Sequence, residues 1–278
     1  MQLSKRLTAL AGLVTTGNRL ADVGTDHGYV PIYLIEKKKI PSAIAMDINP
    51  GPLERAQEHI RQFGYEDYIE TRLSDGVQEL KAGEADTVLI AGMGGALMQR
   101  ILEEGREVLS GVPEVILQPQ SELYAMRRYL ESVGHAITEE AMVFEDGKYY
   151  PILKVRPEGT KQGGRSKEKV GREDLKDRAW LLREVQYHFG RLKLQRNPQI
   201  LLGYLENSLR VQREILKSLS GAEGERTEKR RCEVREMLVF LETCREELGK
   251  QIFANGAAGK EKGKGVENCA VTGDYGNY

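Results

Sequence analysis

The sequence has little cysteine: Cys232, Cys244 and Cys269 are the only three in 278 residues, with no C-x-x-C pair and no even set. That excludes a disulfide framework and a thiolate zinc cluster, and it suits a reducing compartment. No metal is expected on that ground. Long apolar runs are missing, and those present are far too short to cross a bilayer. The opening residues Met1–Leu7 hold the basic pair Lys5 and Arg6 without the apolar core of a signal peptide, which makes the cytoplasm the expected location. What is there is ample for a folded core: hydrophobic residues make up 40% and charged residues 30%. The length suits one α/β domain with an appendage.

Net charge of one sign is missing too, but the total of −1 conceals a split. Residues 1–155 carry 16 lysines and arginines against 23 acidic residues, net −7, whereas residues 156–278 carry 25 against 19, net +6. A basic appendage beside an acidic domain is one way to hold a polyanion near a small-molecule site.

Hydrophobic spacing divides the chain further. Leu3, Leu7, Leu10 and Val14 share one face of an opening helix that Ser4 can cap. Short β-like runs follow at 19–23, 43–47, 68–73, 87–91 and 115–117, separated by helical segments, and this alternation predicts a parallel sheet with crossover helices. After a helix over 121–133, runs at 135–144 and 148–155 flank the turn Glu145-Asp146-Gly147, so the domain is expected to close with an antiparallel pair. Residues 156–172, glycine-rich and basic, are the expected linker. Residues 173–253 carry Leu175, Leu182 and Phe189 seven apart, a break at Asn197-Pro198, and two more stripes, Leu201 to Leu216 and Val234 to Ile252. Narrow seams on long helices predict a coiled-coil arm. The Gly/Lys/Asn-rich residues 254–278 predict a disordered tail.

The chemistry is concentrated at the ends of the predicted strands. Asp22-Val23-Gly24-Thr25-Asp26-His27-Gly28-Tyr29 follows the first, where glycines admit a ligand and a helix N-terminus offers N–H donors. Carboxylates here would repel a pyrophosphate, so a cofactor bearing an ammonium and a sulfonium, S-adenosylmethionine, is favoured over NAD. Asp47 ends the second strand 19 residues after Gly28, where it can accept from ribose hydroxyls, with Ile48 and Asn49 directly after it. Asp75 and Gly76 end the third and suit an adenine amino group and ring. Gly92, Met93 and Gly94 end the fourth as a thin wall between cofactor and substrate, and Gln118-Pro119-Gln120 ends the fifth. The expected cofactor set is therefore Asp22, Gly24, Asp26, His27, Gly28, Asp47, Ile48, Asn49, Asp75, Gly76, Gly92, Met93 and Gly94.

Asp22-Val-Gly-Thr-Asp-His-Gly-Tyr, Ile90-Ala-Gly-Met-Gly-Gly, Leu117-Gln-Pro and Asp146-Gly-Lys-Tyr-Tyr resemble the bacterial tRNA (adenine-22-N1)-methyltransferases. The resemblance covers residues 1–155 by motif and the helical remainder by architecture. It departs at Gln120, where the family has Gln-Pro-Asn, and it offers no counterpart for the tail. The resemblance implies a class I, Rossmann-like methyltransferase sheet with a C-terminal coiled-coil domain, and methyl transfer to N1 of an adenine in the tRNA D-arm.

Adenine N1 brings its own lone pair, so alignment rather than a general base is the expected task, and His27 is expected to line the pocket. Asp26, then Gln118 and Gln120, are the candidates for stabilising charge that develops on the adenine, and Tyr29 for stacking the exposed base. Arg191, Lys193, Arg196, Lys229, Arg230 and Arg231 are the candidate phosphate contacts. No stable protein partner is called for. Two rivals fit the same residues: a methyltransferase with a small-molecule or protein acceptor, and a catalytically dead adaptor on the same fold.

Overall fold

The computed structural model describes residues 1–157, 178–221 and 223–262. Strands β1 (Leu20–Val23), β2 (Ala43–Asp47), β3 (Ile69–Leu73), β4 (Thr87–Met93), β5 (Glu114–Pro119), β6 (Ala136–Glu145) and β7 (Lys148–Arg156) form one sheet. Its order is β3-β2-β1-β4-β5-β7-β6, with β7 antiparallel to both neighbours and every other pairing parallel. The expected parallel sheet and closing hairpin are both present.

Each strand buries alternate residues on opposite faces. Ala21, Val23, Val88 and Ile90 join Val115 and Leu117 under α4 (Gly95–Glu104) and α6 (Leu123–Ser132), with the short α5 (Arg106–Leu109) beside them. Leu20, Ala43, Leu89 and Ile116 face the other way, under α1 (Lys5–Leu13), α2 (Tyr29–Glu36) and α3 (Pro50–Phe63). Because both faces are covered, the central strands read as nearly continuous apolar runs. Ser4 caps α1, its Oγ accepting from the Leu7 N–H at 3.3 Å.

Helices α7 (Arg178–Phe189), α8 (Pro198–Ser218) and α9 (Glu225–Lys262) make the C-terminal unit. Leu201, Leu205 and Leu209 meet Phe240, Leu241, Cys244 and Leu248, and the same cluster takes in Val185 and Phe189 of α7 and Met142 of β6. The seams are filled by a third helix and by the sheet edge, so the unit is docked rather than free-standing. A buried ion pair bolts it down. Arg127 of α6 meets Glu140 of β6 at 2.8 Å, and its Nη1 donates to the carbonyls of Tyr187 and His188 at 3.0 Å each.

Two boundaries also differ from expectation. α7 stops at Phe189 rather than at Asn197, because Gly190 takes φ +91° and passes so close to Glu140 that a Cβ there would lie 2.2 Å from its carboxylate. α9 continues to Lys262, past the expected start of the tail, since extending a formed helix costs little per residue. The linker from 158 onward, Leu175, Cys269 and the remainder of the tail lie outside the described residues. Among the described residues, no helix is long and apolar enough to cross a membrane, and no group of three His, Cys, Asp or Glu is placed to hold a metal.

Candidate active site

The carboxyl ends of β1 to β5 meet at one edge of the sheet, the usual ligand edge of an open α/β fold. The β1 loop is tied to β2 by the N–H groups of Gly24 and Thr25, which donate to the Met46 carbonyl at 2.8 and 2.9 Å. Asp22 and Asp47 are buried at its base, and burial, with the Asp47 charge close by, pushes the Asp22 carboxyl up to about 6. Asp47 accepts from the Asn49 N–H at 2.8 Å, and Ile48 beside it is 54% exposed, an apolar surface suited to the flat face of a base.

The loop itself is shaped by α3. Arg55 holds Asp26 at 2.5 Å, and His27 Nε2 lies 3.2 Å from the same carboxylate. The rings of His27, Tyr29 and His59 lie nearly parallel with centroids 4.9–5.3 Å apart, and His59 Nδ1 is 3.1 Å from the His27 carbonyl. His27 Nδ1 is buried with no hydrogen-bond partner, so the loop keeps a polar atom for a ligand. Asp26 does not sit in a dry pocket: its side chain is 60% exposed and already paired. Asp75 is half-buried and 3.2 Å from Arg100.

Beyond the loop stands the β4 wall. The β4–β5 register shifts between Ala91 and Met93, which makes Gly92 an extra residue in the strand and bends the wall at that point. On one side the Met93 side chain lies over Gly24, where a Cβ would stand 2.2 Å from the Met93 methyl. On the other side Gln120 donates its N–H to the Met93 carbonyl at 2.9 Å, and its amide comes within 3.8 Å of the position of a Cβ on Gly92. Gln118 is fully buried and its Oε1 accepts from Arg6 Nη1 at 3.1 Å. That leaves Gln120 as the more available amide of the pair.

The fold thus brings Asp22 to Tyr29, Asp47 to Asn49, Asp75, Gly76, Gly92 to Gly94, Gln118 and Gln120 to one edge. Arg6, Arg55 and His59 join them without a mark in the sequence. Arg55 and His59 stand one turn apart on α3, a spacing that puts them on one face, but only the fold shows that this face meets the β1 loop.

The basic candidates divide. Arg196 pairs with Glu139 and lies against Gly12, at the end of α1 opposite Arg6, so Arg191, Lys193 and Arg196 belong to the far end of the sheet. α8 climbs beside β6 in the strand direction: the Arg196 N–H meets the Glu140 carbonyl, and Tyr204 meets Tyr149, whose ring lies tilted against Phe144. From Tyr204 to Ser218 the helix runs on for about 20 Å. Lys229, Arg230 and Arg231, early in α9, follow that turn. On this stretch a groove of about 420 Å³ is lined by Arg210, Arg213, Lys217 and Arg245, with Glu206 and Glu214 between them.

The strand order, the glycine loop after β1 and the acidic end of β2 define a Rossmann-like methyltransferase domain, and residues 3–153 match the family described as a methyltransferase domain. Among curated proteins, the tRNA (adenine(22)-N(1))-methyltransferase of Bacillus subtilis (strain 168) is 40% identical over 153 residues, 55% of this chain. The match spans 64% of that relative's length. Among solved structures, the B. subtilis M1A22 tRNA methyltransferase is 28% identical with a TM-score of 0.69, covering 88% of this chain and 99% of that one. Streptococcus pneumoniae Sp1610, solved in complex with S-adenosyl-L-methionine, is 27% identical with a TM-score of 0.69, over 88% and 100% of the two chains. The chain belongs to the methyltransferase-domain family, and it is similar to the bacterial tRNA (adenine(22)-N(1))-methyltransferases. The sequence match to the curated relative covers little more than half of the chain, whereas the structural match takes in most of it, helical unit included.

Proposed function

We propose that this protein transfers a methyl group from S-adenosylmethionine to N1 of adenine 22 in the D-arm of tRNA. The observation that carries the reading is the convergence of the β1 loop, Asp47, Asp75, the Gly92 wall and Gln118–Gln120 on one edge of a methyltransferase-ordered sheet. The relative solved with S-adenosyl-L-methionine and the curated B. subtilis relative support the cofactor and the acceptor.

S-adenosylmethionine supplies a methyl group on a sulfonium, which leaves as a neutral thioether when N1 takes the methyl carbon. Asp47 has an oxygen to offer ribose hydroxyls, and Ile48 offers its exposed face to the adenine. Asp22 and the His27 ring close the amino-acid side of the loop, with His27 Nδ1 as an unused polar contact. N1 needs no general base, so the protein's task is to hold acceptor and methyl group in line. Gln120, exposed on the substrate side of the wall, accepts from the N6 amino group through its carbonyl and so favours the charge that grows there. The Watson–Crick edge of a paired adenine is hidden, so the base must be exposed, and Tyr29, 38% exposed in its ring cluster, is the platform. Phosphate contact falls to Arg210, Arg213, Lys217 and Arg245 with Lys229, Arg230 and Arg231, a reading supported by their clustering on α8 and α9 and by the course of α8 beside β6 in the strand direction.

The test is to incubate the protein with labelled S-adenosylmethionine and unmodified tRNA, digest to nucleosides and identify the product by mass and retention. Labelled 1-methyladenosine, lost in Asp47→Ala, is the expected result. Cofactor binding without any labelled tRNA nucleoside refutes the acceptor.

A further inference from the structure

The Arg6 guanidinium faces the substrate side of the Gly92 wall, outside the set of residues that hold the cofactor. It comes from the first turn of α1 and meets Gln118 of β5 and the space above Gly92 of β4. Nη1 donates to Gln118 Oε1 at 3.1 Å, Cζ lies 5.5 Å from the centre of the Tyr150 ring, and Nη1 is 3.9 Å from the position of a Cβ on Gly92. Gln120 approaches the same point to 3.8 Å. Five residues from α1, β4, β5, the turn after β5 and β7 therefore converge where the acceptor must enter.

Two features separate Arg6 from an ordinary surface arginine. It is half-buried, and among the described residues no carboxylate lies within ion-pair distance of it. Most of the other described arginines with burial of this kind are paired: Arg72 has Glu70 and Glu84, and Arg127 has Glu140. A guanidinium partly withdrawn from water without a counter-charge is costly unless an anion arrives. Its single side-chain hydrogen bond and the Tyr150 ring fix the fork while leaving other N–H donors unspent, the arrangement that suits bidentate phosphate.

We propose that Arg6 is the anchor for the phosphate of the acceptor nucleotide, and that α1 is thereby part of the nucleic-acid interface. This rests on the tRNA reading above. The anchor sits across the wall from Gly24 and Met93, so it fixes the sugar-phosphate of the exposed nucleotide while the base reaches the cofactor side. Its bond to Gln118 Oε1 has a second effect: with that carbonyl occupied, Gln118 is a positioning residue, and the base is left to Gln120.

The experiment compares the wild type with Arg6→Gln, Arg6→Lys and Gln118→Ala on tRNA across a salt series, with calorimetric cofactor affinity and a melting curve as controls. Arg6→Gln is expected to raise the tRNA KM about tenfold or more, the cost of a charged hydrogen bond. It should leave the cofactor Kd within about twofold and lower the slope of log KM against log salt by about one, as losing one phosphate contact requires. Arg6→Lys keeps the charge and should keep the slope. An Arg6→Gln enzyme with unchanged KM and slope overturns the proposal, as does one that only matches Gln118→Ala by losing kcat at full salt slope. If the wild type itself fails to methylate tRNA, the underlying reading falls, and this one with it.

Discussion

Glu140→Ala is the sharpest test of how the helical unit is attached. Arg127 and Glu140 are 4% and 1% exposed, and one carboxylate ties two segments to its own strand. Its Oε2 takes Arg127 Nε and Nη2 at 3.2 and 2.8 Å, and its Oε1 takes the Arg191 N–H at 2.8 Å. Removing it leaves a buried guanidinium held only by the carbonyls of Tyr187 and His188, and an orphaned backbone donor. Breaking a buried pair by deleting one partner costs about 3–5 kcal/mol. For a chain of this size that lowers the melting temperature by roughly 10 °C. Calorimetry and urea denaturation read the loss, and a double variant, Arg127→Met with Glu140→Leu, should recover much of it, because two apolar groups leave no uncompensated charge. A Glu140→Ala protein that melts within about 1 °C of wild type refutes the reasoning. The same contacts make truncation at residue 173 a poor test of the helical unit, since it strips Arg127 of its carbonyl partners and uncovers Met142.

Two further predictions concern pH. Burial, with the Arg127 charge close by, holds His188 down at about 4, so its contribution to stability is full above the ordinary histidine value near 6.5 and is lost as pH falls towards 4. His188→Phe, which keeps the ring contacts with Tyr124 and Phe240, should flatten denaturation-derived stability over that window, and parallel curves for both proteins would contradict it. Asp22, pushed up to about 6, has the opposite sign: the folded state binds its proton more tightly, so wild-type stability falls as pH rises from about 4 to about 6 and stays lowered above. Asp22→Asn should therefore be more stable than wild type at pH 7 by roughly 3 kcal/mol, the free energy of lifting a carboxyl from its ordinary 3.8 to about 6, while losing cofactor affinity. An Asp22→Asn protein no more stable at pH 7 than at pH 4.5, relative to wild type, rules this out.

The sheet and its ligand edge were legible because local patterns carry them. Alternating apolar runs and Gly/Asp punctuation mark the strands, and connection handedness then forces their carboxyl ends to one edge. Asp22, Asp47, Asp75, Gly92 and Gln118 could be placed from sequence alone for that reason. Partners that arrive across the fold carry no local mark. Arg55 and His59 read as an ordinary exposed helix face, Arg6 as a basic residue after a cap, and Glu140 as one carboxylate among many on an edge strand.

The helical unit shows the same division. The leucine stripes determined three helices and their buried faces, since a 3.6-residue period fixes which side must leave water. They did not determine what covers those faces: seven-residue spacing is as compatible with a free arm as with docking, and only Met142, Gly190 and the Arg127–Glu140 pair decided for docking. Charge follows suit. Composition determined that the C-terminal part is basic, but the contacts of α8 with β6 decided that Arg196 lies beside Glu140 and Tyr204 beside Tyr149, because position along a helix becomes position in space only when its end is anchored.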